Sequence, residues 1–473
     1  MRAIGLLIVA GFLVAGCSSD EASTDSGKGS VADCDAIIRA CHPKDDGTGD
    51  ISACHDAAHD SVLAADFSYC ASNRSRCVAL CDAAAEVDGG AGGHGHGGAG
   101  GSAGQSHGGA AGAAGNSHGG AGGAGGASAH GYDARGSFGV GHQTIALSAA
   151  DGRVLQVEVW YPADPSARGP EPAESYVAAA ERDAYISLLA AAPATCATRS
   201  LPAERDASPQ GTGWPLVVYS HCVSCINLSG ASLAIRLASH GVAVAAPNHA
   251  GPLPFASKDT KEPLNTAQLA QRETDLELVL DSLLGDSASV PAALRGKFDA
   301  TRVGALGHSF GSVTVGKLTQ DDVRIRAVFG LAAPMQSPLL PGVDVTTFTV
   351  PTALLIAQED NSVQEVGNSL MRTNFDDLKV PALEVEVLDA GHWSVSDLCG
   401  VAGFKPGCGS GTRHSSGHQG ETFDYLPVAE GIAIAQTYTT SFFLAELTGD
   451  TEARQFMLAE HPAGAVKLRV KGQ

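Results

Sequence analysis

A serine becomes a nucleophile only through its neighbours, and Gly307-His308-Ser309-Phe310-Gly311 supplies the local part of that requirement. The pentapeptide lies between the run Arg302 to Leu306 and a helix-compatible stretch, Ser312 to Leu318. A strand turning sharply into a helix holds the hydroxyl above the sheet edge, and glycine two residues to either side lets the backbones pass closely. Ser309 is therefore read as a nucleophile rather than as part of a Gly/Ser-rich turn. Such a serine needs a base for its proton and an acid to orient that base, in the chain order serine, acid, histidine. Downstream, His392 directly follows the last strand-like run, in Leu388-Asp389-Ala390-Gly391-His392-Trp393, and is the candidate base. His414 and His418 fall in Gly407 to Gly420, read as a surface loop. Asp360 is the candidate acid, just past the run Thr352 to Ala357, with Glu359 as its rival. A carboxylate at the start of the following helix is the alternative role for Asp360. Asp389 stands too near His392 in sequence to orient it. The oxyanion of a tetrahedral intermediate needs two backbone donors, one from Phe310 and one from the loop His221-Cys222-Val223.

These residues need elements to hold them. Gln143 to Leu147 and Val154 to Tyr161 read as opening strands around the turn Ala150-Asp151-Gly152. A polar, Pro-rich insertion follows, with a helix over Ala173 to Ala191. Apolar runs then recur at Leu216 to Ser220, Val242 to Ala246, Val303 to Leu306, Ala327 to Leu331, Thr352 to Ala357 and Leu383 to Leu388. Helical periods lie between and after them, at Leu228 to His240, Thr266 to Leu284, Phe310 to Leu318, Ser362 to Arg372 and Glu430 to Leu447. Such alternation predicts a mainly parallel sheet covered by helices on both faces, and with the sharp serine turn an α/β-hydrolase fold.

The rest of the chain is of another character. Lys+Arg 30 against Asp+Glu 51 gives a net charge of −21, which argues against nucleic acid or an anionic membrane surface as partner. Met1 to Cys17 has one positive charge, a short apolar run and small residues, which predicts a secretory signal. Val14-Ala15-Gly16-Cys17 also resembles the bacterial lipobox, so Cys17 is the expected lipidation site and the lipid the only membrane contact. Ser18 after it favours the outer membrane. Residues 18–30 read as a tether. Cys34, Cys41, Cys54, Cys70, Cys77 and Cys81 crowd residues 31–88 at spacings of seven and four, predicting two or three short helices stapled by disulfides. Zinc is the rival reading, and the absence of paired Cys-x-x-Cys knuckles tells against it. Residues 89–131 hold 21 glycines in 43 positions and read as a flexible spacer. Its histidines, His94, His96, His107, His118 and His130, are too scattered for a specific metal site. The hydrolase domain is placed at 132–450 and a C-terminal tail at 451–473.

Several motifs in order now resemble one family: Glu158-Val159-Trp160-Tyr161-Pro162-Ala163, Val218-Tyr219-Ser220-His221, Leu237-Ala238-Ser239-His240-Gly241, Gly307-His308-Ser309-Phe310-Gly311 and Ala390-Gly391-His392. They are similar to the platelet-activating-factor acetylhydrolase and dienelactone-hydrolase-like branch of the α/β-hydrolases, over roughly Tyr132 to Leu447. The resemblance implies a Ser-His-Asp hydrolase of small or short-acyl carboxylic esters, with Ser309 as nucleophile, His392 as base, Val223 and Phe310 as oxyanion donors, and no metal or organic cofactor. Three departures stand out. Cys222 replaces the usual glycine of the His-Gly loop. Gly330-Leu331-Ala332-Ala333-Pro334 lacks the carboxylate that the acetylhydrolases carry one strand earlier, which supports Asp360. The nucleophile is serine, where dienelactone hydrolases use cysteine.

Cys222-Val223-Ser224-Cys225 has redox-motif spacing but is read as a disulfide bracing the oxyanion loop. Cys399 and Cys408 are expected to close the Gly-rich loop after His392, leaving Cys196 unpaired or paired with Cys222 or Cys225. A different class of function, an inactive surface-displayed binding protein, is the alternative. Within hydrolases, polyester or amide substrates remain open, because acyl specificity depends on insertions such as residues 164–213.

Overall fold

The computed structural model describes residues 31–41, 44, 49–63, 68–84, 131–249, 262–285, 287–401 and 407–472. The expectations for the signal segment, Cys17, the tether and the spacer histidines lie outside the described residues. The chain divides into two compact units, residues 1–93 and 94–473.

In the first unit, α1 (Val31–Cys41), α2 (Gly49–Leu63) and α3 (Ser68–Ala83) pack around their own cysteines. Disulfides join Cys34 to Cys70, Cys41 to Cys81 and Cys54 to Cys77. Their spacings of seven and four place Cys34 with Cys41 on one face of α1, and Cys70, Cys77 and Cys81 on one face of α3. Beyond the six cysteines the buried apolar residues here are Ile37 and Ala58 among those described. A core this small depends on its cross-links.

The second unit opens with the hairpin β1 (Gly139–Ser148) and β2 (Val154–Ala163). The insertion follows with β3 (Pro170–Pro172), α4 (Arg182–Ala191), β4 (Ser200–Pro202) and β5 (Glu204–Arg205). Alternation then begins: β6 (Trp214–Ser220), α5 (Ala231–Ser239), β7 (Ala243–Pro247), α6 (Thr266–Leu284), β8 (Phe298–His308), α7 (Phe310–Asp321) and β9 (Ile325–Leu331). Next come β10 (Thr352–Ala357), α8 (Gln364–Asp377), β11 (Ala382–Val387), the short pair β12 (Ser410–Thr412) and β13 (Thr422–Asp424), α9 (Val428–Thr448), α10 (Thr451–Met457) and β14 (Val466–Lys471). Ten strands form one sheet in the order β5-β1-β2-β7-β6-β8-β9-β10-β11-β14. From β7 to β11 every pairing is parallel, while β2 and β14 join antiparallel at the two flanks.

The apolar runs make this sheet because both of its faces are buried. Val217, Tyr219, Val244, Leu306 and Phe329 pack on one side with Leu237 of α5 and Phe442 of α9. Their alternates Leu216, Val218, Ala245, Ala305 and Val328 pack on the other with Leu276 of α6, Val315 of α7 and Met371 of α8. At about 1.5–3 kcal/mol for each fully buried large apolar side chain, these two layers dominate the domain's stabilisation. β8 runs through the middle, so the turn at its end stands over the centre of the sheet.

Two segments away from the site differ from expectation. The helix read over Ala173 to Ala191 divides into a single 3-10 turn, Ala173–Tyr176, and α4, because Val177 takes extended backbone and is buried beside Tyr176. Residues 451–473, read as a tail, instead supply α10 and the edge strand β14, whose Arg469 reaches the buried Glu384 of β11 at 3.2 Å.

Candidate active site

Ser309 sits between β8 and α7 with φ 58° and ψ −122°, a left-handed backbone that a non-glycine residue adopts only at a cost. Its amide donates to Leu331 O at 2.9 Å. The flanking glycines are required sterically. A Cβ on Gly307 would lie 2.1 Å from Gly311 O, and one on Gly311 would lie 1.9 Å from Ser220 O.

Asp360 and His392 come from neighbouring strand ends, after β10 and β11. His392 Nδ1 donates to Asp360 Oδ2 at 2.7 Å, while Asp360 Oδ1 accepts from the amides of Ser362 and Val363, both at 2.8 Å. Asp360 is thus the partner of His392 and holds the turn ahead of α8, whose N-cap is Val363 with no side-chain cap, so the role of helix-start carboxylate is not the one it takes. The two loops are knitted together by Glu359 N donating to Ala390 O and Gln358 N to Val387 O. His392 is fully buried, yet its Nε2 has no hydrogen-bond partner among the described residues. Ser309 Oγ makes no hydrogen bond to it in this resting state, a bond that commonly tightens only with substrate bound.

The rival Glu359 faces elsewhere. It accepts from Arg413 Nη1, the amides of His414 and Ser415, and Ser415 Oγ, at 2.6–3.0 Å. Burial raises its pKa, but these donors outweigh burial and hold it below the ordinary value. Its role is to anchor the segment that carries His414, and β12 within that segment pairs with β13 where a plain loop was expected. Asp389 pairs with Arg413 at 2.7 Å.

Phe310 is the first residue of α7, where backbone amides lack an intrahelical acceptor. On the other side of the site, Cys222 and Cys225 are disulfide-bonded, as expected, with Val223 between them. The carbonyl of Cys222 accepts from Arg272 Nη2 at 3.0 Å and from His221 Nδ1 at 2.7 Å. His221 Nε2 in turn accepts from the amide of His249, which fixes the Nδ1–H tautomer. Burial first, then Arg272, then His249 push the His221 pKa well down, so the ring is neutral.

Sequence reasoning missed four contributors. His308, buried and neutral with its pKa brought down to about 3 by burial and then by His392, donates Nε2–H to His392 O at 3.0 Å. It ties the serine turn to the histidine loop. His249 continues from His221: Nδ1 meets Asp275 Oδ2 at 3.1 Å and Nε2 meets Ser220 Oγ at 2.9 Å. Arg272 and Glu262 form a buried ion pair behind Cys222. The signal for Arg272 was present, a charge at helical spacing among Leu269, Leu276 and Val279 on the apolar face of α6.

One expected cross-link is corrected. Cys408 bonds to Cys196, not to Cys399, and Cys399 is free and buried with its thiol pushed up to about 12 by burial. Thr198 Oγ1 donates to Asp397 Oδ1 at 2.8 Å, drawing the insertion onto the loop after His392 and bringing Cys196 beside Gly400 and Cys408.

Residues 132–274 match the family model of platelet-activating factor acetylhydrolase, isoform II. A platelet-activating factor acetylhydrolase of Cavia porcellus is 28% identical over 158 residues, a match covering 26% of this chain and 36% of that protein. The chain thus spans about a third of the length of the curated relative it matches. Among solved structures, a ferulic acid esterase from Streptomyces cinnamoneus superposes with a TM-score of 0.52 at 23% identity, over 70% of this chain and 96% of that one. At that identity the likeness speaks for the fold. Residues 132–274 are similar to the platelet-activating factor acetylhydrolase isoform II family, within a domain of α/β-hydrolase fold.

Proposed function

We propose that this domain hydrolyses small or short-acyl carboxylic esters through an acyl-Ser309 intermediate. The observation that carries the reading is the state of His392: one ring nitrogen is held by Asp360 and the other is left without a partner beside a serine forced into a sharp turn. His392 Nε2 takes the Ser309 proton as Oγ attacks the acyl carbonyl, and the amides of Phe310 and Val223 receive the oxyanion. The alcohol leaves with the proton from His392. Water then repeats the sequence on the acyl group, returning the acid and free Ser309. The similarity to an acetylhydrolase and the fold shared with an esterase support this class of reaction.

The test is turnover of p-nitrophenyl esters from acetyl to dodecanoyl beside Asp360→Asn and Glu359→Gln. Rates should fall with chain length. Asp360→Asn should lower kcat by about 10⁴-fold, the scale of a lost triad acid, and Glu359→Gln by less than about tenfold. Equal losses would reject Asp360 as the orienting acid, and no turnover with no phosphonate labelling of folded protein would favour an inactive binding protein. We further propose an outer-membrane lipoprotein tethered at Cys17, for which loss of membrane association in Cys17→Ser is the check.

A further inference from the structure

We propose that Arg272, with Glu262, is the positioning group that sets both oxyanion donors; this rests on the esterase reading above. Arg272 is wholly buried, and a guanidinium so placed must spend its donors on specific acceptors. Nε and Nη2 take the two carboxylate oxygens of Glu262 at 2.6 and 2.5 Å. Nη1 donates to His221 O at 2.5 Å and Nη2 to Cys222 O at 3.0 Å.

Across a trans peptide the carbonyl and the following N–H point to opposite sides. With Cys222 O drawn to Arg272, the Val223 N–H is turned away from it. Glu262 fixes the next peptide, accepting from Ser224 N at 2.9 Å while its own amide donates to Ser224 Oγ at 2.9 Å. Ser224 holds φ 53°, so this turn is one the chain adopts under constraint. Val223 is therefore gripped on both sides, by the cation before it and the carboxylate after it. The same guanidinium lies 4.5 Å from the centroid of the Phe310 ring, whose amide is the other donor. One buried ion pair thereby spans both halves of the hole, across 51 residues of sequence to His221.

The experiment uses the purified full chain with Arg272→Lys and Glu262→Gln, and Ser309→Ala alongside. Active Ser309 is counted by phosphonate titration, and kcat per titrated site and KM are measured on p-nitrophenyl acetate and on its thiono analogue. Arg272→Lys keeps the charge but cannot form the fork. It should lower kcat per titrated site by about 100-fold, the scale of losing an oxyanion donor, with KM within about threefold. It should also shrink the preference for the oxo over the thiono ester. Glu262→Gln should lower kcat about tenfold in the same pattern, which serves if Arg272→Lys does not fold. A purely structural role would reduce the number of titratable sites and leave kcat per site and the oxo/thiono ratio unchanged, and that result overturns the proposal. Turnover surviving Ser309→Ala would instead reject the esterase reading itself.

Discussion

Ser220, His249 and Asp275 form the chain of hydrogen bonds that Ser309, His392 and Asp360 would complete in a working triad, and the two serines stand at the ends of neighbouring strands, β6 and β8. In the first set both nitrogens of His249 are occupied, Nε2 by Ser220 and Nδ1 by Asp275, and all three side chains are buried. Burial first, then Arg272 and Arg153, push His249 well down, so its imidazole stays neutral. In the second set only one nitrogen is satisfied. Ser220 lies on regular strand β6, whereas Ser309 occupies a left-handed turn that nothing but the glycines beside it makes possible. Residue types alone therefore do not distinguish a reactive set from a structural one. On the esterase reading proposed above, the unsatisfied nitrogen and the strained serine mark the second set as the reactive one.

Exchanging the roles is the sharpest way to break this comparison. Ser309→Ala should abolish ester turnover, by at least about 10⁴-fold, while Ser220→Ala should leave kcat within a few-fold. A large loss of kcat in Ser220→Ala with normal folding would show that the inner set does more than hold shape. Next in size is the effect on stability. His249→Ala removes two buried hydrogen bonds, leaving Ser220 Oγ without its partner and Asp275 with Arg153 alone at 2.7 Å, and should lower unfolding free energy by about 3 kcal/mol. His392→Ala removes a ring already lacking one partner and should cost markedly less by denaturant titration. Reversal of that order would contradict the assignment of the two sets.

The last effect, confined to part of the pH range, concerns a third buried carboxylate, Asp397, which lacks the imidazole partner of the other two. It accepts from Ser232 N and Oγ and from Thr198, yet burial lifts its pKa to about 6. The folded state then holds this proton more tightly than the unfolded chain. Its contribution is fully present below about pH 4 and is lost as pH rises to about 6, an amount on the order of 3 kcal/mol. Asp397→Asn should flatten that part of the stability–pH curve, and an unchanged slope would assign it to other groups.

What could be read from sequence follows the range of each interaction. The turn around Ser309 is local: glycines at plus and minus two announce it, and the apolar runs of β6, β8 and β10 announce the sheet beneath. His392 and Asp360 were legible because each immediately follows such a run. Arg272 was not, since its partners at His221, Cys222 and Phe310 are adjacent only once the sheet has formed, although a charge on the apolar stripe of α6 hinted at it. Choosing Asp360 over Glu359 also required the fold, which turns adjacent carboxylates to opposite sides and sends Glu359 to the segment at 413–415. The strand β14, Val466-Lys467-Leu468-Arg469-Val470-Lys471, was hidden by its half-exposed edge position and its charges.

The bond between Cys196 and Cys408 closes a ring of chain with a sequence separation of 212 residues, and Ser309, Asp360 and His392 all lie inside it. In the chain-entropy description so long a loop withholds about 5 kcal/mol of freedom from the unfolded state. It also changes what damage means. A single proteolytic cut anywhere within the ring opens a covalent circle without releasing a fragment, so all three residues stay on one molecule until that disulfide is reduced.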